Sequence, residues 1–248
     1  MSVVVVVGDV ATTTATALAA AWPASEPVVL LEADPSGGDL AAWFDLATSP
    51  GLASAVAAAP ANWLAVAGPV QHARGLEVLV APGRATDADH VMTEAASRIV
   101  PILARLDDTV VLADCGSQHP TRLSPVVVQA ALVVVTIQPS GASDRAVAVR
   151  LDRHGELFDA LMQRAIPVVA AVVSGGLYDP GEVAAFLGGS TGPVPVVEIA
   201  NDPGAAATIA GRAGSHRKLA RSPLLRTAAI AANELAARLG VGVLGGVR

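Results

Sequence analysis

Lysine is almost missing from this chain of 248 residues: Lys218 is the only one, and arginine supplies the rest of the basic charge. Phosphate sites commonly set an ammonium group against the anion, so any such site here has to do without one. Cys115 is the only cysteine, which excludes an intramolecular disulfide and a multi-cysteine metal site. Aromatic residues make up 3%, too few for a base-stacking platform. Charged residues make up 15% and the formal net charge is −6, which excludes a charge-rich disordered tail and a strongly basic nucleic-acid binder. The histidines at 72, 90, 119, 154 and 216 show no H-E-x-x-H spacing. Apolar runs stop well short of the ~18–20 residues that span a bilayer. The start, Ser2 into Val3–Val7, has no basic region or cleavage pattern. A cytoplasmic protein without a transmembrane segment is expected.

What is present is core. With 52% hydrophobic residues the chain can bury one sizeable interior, hiding roughly 75% of the surface its unfolded form exposes. Short β-branched runs read as strands: Val3–Val7, Val28–Glu32, Leu76–Val80, Thr109–Ala113, Leu132–Ile137, Pro167–Val173 and Val194–Ile199. Most are apolar on both faces, as strands covered by helices on each side must be. Between them, Thr13–Ala21, Asp87–Leu106, Ser143–Arg164, Asp179–Leu187 and Leu224–Leu239 have helical length and composition. The rhythm predicts an α/β fold: one domain over residues 1–248, with a mostly parallel sheet of about seven or eight strands and helices on both faces.

Ligands of open α/β sheets sit beyond the carboxyl ends of the strands. The residues there are Gly8-Asp9-Val10-Ala11-Thr12-Thr13-Thr14 after the first strand, Ala33-Asp34-Pro35-Ser36-Gly37-Gly38-Asp39 after the second, and Asp114-Cys115-Gly116-Ser117 after the fourth. Polar and acidic residues therefore collect at one edge. These segments resemble the MinD/ParA family of P-loop ATPases, whose deviant phosphate loop reads K-G-G-x-G-K-[ST]-[ST]. Setting Thr13-Thr14 on the hydroxyl pair puts Gly8 on the first glycine of the pair. Asp9 and Ala11 then replace the other glycines, Val7 the signature lysine and Thr12 the phosphate lysine. Alternatively, Val3–Val7 simply continues as strand and the loop is shorter by a few residues. On either alignment no lysine is available.

The resemblance implies site roles. Asp34, in Leu30-Leu31-Glu32-Ala33-Asp34, stands on the acid that orients the attacking water, and Asp114 on the Walker B magnesium-shell position, with Thr13 as the hydroxyl ligand. Gly8, Asp9, Val10, Ala11, Thr12, Thr13 and Thr14 form a degenerate phosphate loop. Pro195–Asp202 is similar to the strand and loop leading to the adenine pocket. Gly75–Pro82, followed by a long helix and the Walker B strand, looks like the CpaE/TadZ group of pilus-assembly localisation proteins.

The departures have a cost. A phosphate loop offers successive backbone N–H groups while lysine offsets the phosphate charge. Ala11 in a left-handed conformation costs about 1–2 kcal/mol. Asp9 about 5 Å from a phosphate at an effective dielectric of ~20 costs roughly 3 kcal/mol. Losing a lysine contact removes about 2–5 kcal/mol more. The expectation is a pseudo-ATPase with no required cofactor and at best weak Mg-ATP binding. It would act through protein partners in a pilus, secretion-type, polar or septal assembly, and any homodimer would not be the ATP-sandwich kind, because Val7 cannot reach a partner's nucleotide. Two alternatives stand beside it: a slow or partner-activated ATPase with a rebuilt loop using Arg84, Arg122 or Arg145, and a non-specific DNA-binding module using the cluster Arg212, His216, Arg217, Lys218, Arg221 and Arg226. Cys115 reads as a small buried residue rather than a reactive thiol. Ser117 and His119 lack the nucleophile elbow of a hydrolase. The tail Gly240–Val247 is too glycine-rich for an amphipathic membrane helix.

Overall fold

Five consecutive valines favour a pleated backbone, because branching at Cβ restricts the side chain in a helix and suits it to a sheet. In the computed structural model, which describes residues 3–58, 68–105, 109–141, 143–189, 192–212 and 216–240, that run forms β1 (Val3–Gly8). The other strands are β2 (Val28–Glu32), β3 (Gln71–Ala73), β4 (Leu76–Leu79), β5 (Val110–Asp114), β6 (Leu132–Ile137), β7 (Val168–Val173) and β8 (Val196–Ile199). They form one eight-stranded sheet in the order β3-β4-β2-β5-β1-β6-β7-β8. All neighbours are parallel except β3, which runs antiparallel to β4.

The helices are α1 (Ala11–Ala21), α2 (Leu40–Phe44), α3 (Leu52–Ala57), α4 (Ala85–Arg98), α5 (Val100–Leu103), α6 (Pro125–Val128), α7 (Asp144–Met162), α8 (Pro180–Gly188), α9 (Pro203–Ile209), α10 (His216–Leu219) and α11 (Pro223–Arg238). Alternate strand residues feed opposite layers. Val3, Val5 and Val7 join a core with α3 to α8, while Val4 and Val6 join one with α1, α2, α9 and α11. α1 lies against α11, and both turn alanines inward, Ala15 and Ala19 on one and Ala228, Ala231 and Ala232 on the other. Small side chains let the two backbones approach closely. Ser124, Ser143, Asp179, Asp202 and Ser222 cap their helices through the side chain, whereas α1 begins at Val10 with no such cap.

The sequence-based architecture holds, with differences in detail. β3 is an additional short edge strand that three residues of Gln-His-Ala could not announce. The helix expected over Asp87–Leu106 starts at Ala85 and ends at Arg98, and α5 restarts it at Val100. Pro101 lacks the N–H that a continuous helix would need there. Leu106, where that expectation ended, and the tail from 241 onward lie outside the described residues. The short helices α2, α3, α6, α9 and α10 were not anticipated. α1 starts at Ala11 rather than Thr13, so only Asp9 and Val10 separate β1 from the helix. Ala11 is therefore helical, and the left-handed strain expected of it does not arise.

Between β5 and β6 the chain crosses β1, making β1 the switch point of the sheet and the carboxyl ends of β5, β1 and β6 the place for a site. Gly8 makes the turn there. Its φ is +113°, and a side-chain carbon would overlap the Thr136 carbonyl. Gly8→Ala is expected to cost about 3 kcal/mol or more, read as a fall in the urea midpoint at unchanged slope.

Candidate functional site

Two residues are too few to make a loop with open donors. In a P-loop, four variable residues separate the first glycine from the Gly-Lys pair that opens the helix. Here the N–H groups after β1 are used inside the protein. Gly8 N–H donates to the Gly116 carbonyl (3.0 Å), Asp9 N–H to the Thr136 carbonyl (3.1 Å) and Val10 N–H to Thr136 Oγ1 (3.3 Å). The Asp9 carboxylate turns away from the α1 terminus and accepts from Gln138 N–H (2.9 Å) and meets His154 Nε2 at 3.2 Å. Burial works to raise the Asp9 carboxyl, but these two hydrogen bonds and the charges of His154 and Arg150 outweigh it and hold it below the ordinary range.

Beside this turn lies a group of carboxylates. Glu32 and Asp114 are register partners at the ends of β2 and β5, each 1% exposed. Glu32 accepts from Leu40 N–H (2.7 Å) and Ala81 N–H (2.8 Å), fixing the chain after β2 and after β4. Asp114 accepts from Gly116 N–H (3.2 Å) and is hydrogen bonded to the Thr12 side chain. Burial, reinforced by the neighbouring charge of Asp114, pushes Glu32 up to about 7. Burial, with Asp34 and Asp39 nearby, pushes Asp114 up to about 6. Asp34 folds back on its own loop, accepting from Ser36 N–H at 2.7 Å, and its carboxylate lies where any side chain on Gly116 would have to go.

The structure brings most of the expected site residues together. Gly8, Asp9, Val10, Ala11, Thr12 and Thr13 line one cleft of about 280 Å3 with Asp34, Gly116 and Ser117. Asp114 is buried close by, its carboxylate meeting the Thr12 side chain. Thr14 leaves the cleft: it is 1% exposed and faces a second cavity of about 210 Å3, with Thr13, Gln138, Ile199, Asn201 and Leu224 among its walls. The segment after β8, expected to lead to a base pocket, does reach this cavity. Among the described residues no arginine lines the cleft, and Arg84, Arg122 and Arg145 all lie outside its walls. Arg122 instead approaches Asp89 at 4.0 Å on the surface.

Cys115 is wholly buried, and burial beside Asp114 and Asp34 pushes its thiol well up, which suits an inert residue. His119 Nδ1 is held by Thr121 Oγ1 (2.9 Å) within its own turn, so it does not serve Ser117 as a base. Among the described residues no cluster of three or more His, Cys, Asp or Glu side chains is arranged to hold a metal. Sequence reasoning passed over Glu32, Thr136, Gln138 and His154. Glu32 and Thr136 had a signal, a polar residue in an otherwise apolar buried strand. His154 had none, being 145 positions from Asp9.

No family model and no curated protein matches the sequence. Solved structures do. A ParA family ATPase from Chlorobium tepidum TLS aligns at TM-score 0.72 and 17% identity, covering 94% of this chain and 98% of that one. The septum site-determining protein MinD from Pyrococcus horikoshii OT3, complexed with Mg-ADP, aligns at 0.71 and 15% over 99% of both chains. The MinC:MinD cell division complex of Aquifex aeolicus gives 0.70 and 13% over 96% of both. This chain has the MinD/ParA fold. Within that fold its first turn, between β1 and α1, is tied to Thr136 and Gly116 by backbone hydrogen bonds. Among the described residues no helix is long and apolar enough to cross a membrane.

The two raised carboxyls give a pH dependence with a definite sign. Both bind protons more tightly folded than unfolded, so their contribution is fully present at acid pH. It is lost as pH rises from their ordinary values of 3.8 and 4.5 through about 6 and 7. Asp114→Asn is expected to flatten part of that loss and to stabilise the protein above the window. Its carbonyl keeps the Gly116 N–H and its amide can donate to Thr12. Glu32→Gln is expected to destabilise by about 1–3 kcal/mol, because its amide would confront the N–H of Leu40 or Ala81. Urea midpoints on both sides of the window check both outcomes.

Proposed function

We propose that this chain is a MinD/ParA-like pseudo-ATPase that works through its surfaces rather than through nucleotide turnover. The observation that carries this reading is the commitment of the Gly8, Asp9 and Val10 N–H groups to Gly116 and Thr136. An anion arriving at the turn would find its backbone donors already used. It would also meet Asp34 in the cleft wall, with no basic side chain among the described lining residues. The residues therefore suit a magnesium nucleotide poorly, and no step is routed through one.

The working surface in this reading is the sheet edge itself, Gly8–Thr14, Asp34–Asp39 and Asp114–Ser117, offered to a protein partner. MinD of Aquifex aeolicus is found in complex with MinC, a precedent for partner binding on this fold. The resemblance of Gly75–Pro82 and its surroundings to the CpaE/TadZ group makes a component of a pilus or secretion-type assembly the partner of choice. Any homodimer would form without a nucleotide sandwich. The DNA-binding alternative is disfavoured by the net charge of −6, since non-specific DNA affinity comes from phosphate neutralisation.

Calorimetry with Mg-ATP is expected to show no binding up to millimolar nucleotide, and thermal unfolding is expected not to move. A bound ligand at 100 times its dissociation constant would add about 2.7 kcal/mol, so at millimolar nucleotide a dissociation constant of about 10 μM would be visible. Micromolar affinity, or turnover abolished by Asp34→Ala, overturns the reading in favour of a slow ATPase. Salt-sensitive DNA retention lost on combining Lys218→Ala with Arg221→Ala would instead favour the DNA module.

A further inference from the structure

The cleft at the sheet edge has one aromatic wall that the protein itself leaves unused. Trp43, in α2, is half-buried: it packs against the core layer of α1 and α11 and also lines this cleft. Among the described residues no cation stands over its ring, the guanidinium of Arg74 lying over Phe44 instead. Its indole N–H donates to none of them either, whereas that of Trp22 reaches Glu26. Tryptophan presents the strongest aromatic face for attracting a cation.

Asp34 is the second unused group in the same walls. Its Oδ1 accepts from Ser36 N–H (2.7 Å), while Oδ2 rests against Gly116 and has no hydrogen-bond partner among the described residues. It belongs to none of their ion pairs. Ser117, exposed in the same walls, adds a hydroxyl without a partner among them. The cleft thus holds an aromatic ring, an unpaired carboxylate and a hydroxyl, with no cation among its described walls. The N-terminus of α1 opposes a cation with about half a charge. That is less than the full charge of Asp34 alone, and Asp39 and Asp114 lie close enough to add to it. The balance favours a positive ligand.

We infer that this cleft is a socket for an arginine side chain carried by the partner protein, its guanidinium stacked on Trp43 and hydrogen bonded to Asp34. Arginine rather than lysine follows from the two walls. A planar guanidinium lies flat on an indole while its edge donates to a carboxylate, and a compact ammonium does not do both at once. A cleft of about 280 Å3 admits one long side chain and no folded element. The inference rests on the partner-binding reading above and gives that partner a chemistry.

NMR titration of the full chain tests it with three probes: acetyl-argininamide, acetyl-lysinamide and acetyl-citrullinamide, the last having the shape of arginine without its charge. The chain has three tryptophans, so the indole N–H signal of Trp43 is assigned by its loss in Trp43→Phe. The arginine probe at millimolar concentration is expected to shift that signal and the amides of Asp34 and Gly116. The lysine probe is expected to bind about fivefold more weakly, and the citrulline probe not to bind. Asp34→Asn keeps an oxygen for Ser36 N–H and is expected to weaken the arginine probe about tenfold, with the rest of the spectrum unchanged. The inference fails if the arginine probe shifts none of these signals, or if citrulline or lysine matches it. It fails equally if Asp34→Asn binds the arginine probe as the unaltered chain does. Mg-ATP added to the same samples separates the two readings. Shifts with Mg-ATP overturn the pseudo-ATPase reading and this inference with it, whereas shifts with neither ligand overturn this inference alone.

Discussion

Thr136 fixes the geometry from which the rest of the edge follows. Fully buried in β6, it donates its hydroxyl to the Val7 carbonyl (2.9 Å), receives Val10 N–H on the same oxygen and receives Asp9 N–H on its own carbonyl. These bonds let the chain leave β1 and enter α1 within two residues, a reversal that also needs Gly8, whose α-carbon lies hard against Thr136. The same bonds consume the donors that a longer, glycine-rich loop would hold open for an anion. Asp9 is then directed sideways, to Gln138 and His154, where its carboxylate ties the turn to the loop after β6 and to α7. A position that on this fold could serve a ligand is satisfied from within.

The carboxylates divide the same way. Glu32 is a deeply buried acid, and removing a carboxylate from water is costly unless hydrogen bonds replace the lost solvation. It receives two, from Leu40 and Ala81, and through them it positions the starts of two loops. Gly38 packs directly on it, which leaves no room for a side chain there. Asp114 makes the corresponding links on β5, to Gly116 and Thr12. Because the two acids are register neighbours, the charge of Asp114 makes ionisation of Glu32 harder. What the sequence presents as a string of acidic site residues is, in the structure, partly an internal scaffold and partly a rim formed by half-buried Asp34 and exposed Asp39.

The architecture was legible because it rests on pattern: buried parallel strands read as unbroken Val and Leu runs, and their spacing fixes the crossovers. The edge was legible too, since residues that follow parallel strands gather at one end. The register of the first turn was not. Gly8-Asp9-Val10-Ala11-Thr12 reads equally well as a five-residue loop or as a short turn followed by helix. What decides between them is Thr136, far away in the chain and visible only as one hydroxyl among valines. Assigning Asp9 a charge conflict with phosphate assumed that it faces the α1 terminus. His154, on the helix after β6, draws it elsewhere, and nothing local to either residue announces the pair. Short elements such as β3 and α6 escaped for a simpler reason, having too few residues to establish a period.

α1 still points its N-terminal end at the cleft, without a side-chain cap, so a partial positive charge remains there. Asp114 meets the Thr12 side chain and Asp34 stands in the wall of the same cleft, so that field falls on the protein's own carboxylates. Helix dipole and carboxylates therefore offset one another within the protein, and the net character of the exposed rim is acidic. On the partner-binding reading, recognition at this edge would rest on basic side chains brought by the partner, reaching the Asp34–Asp39 loop from outside. Rim charge of this kind acts mainly on association rate and choice of partner.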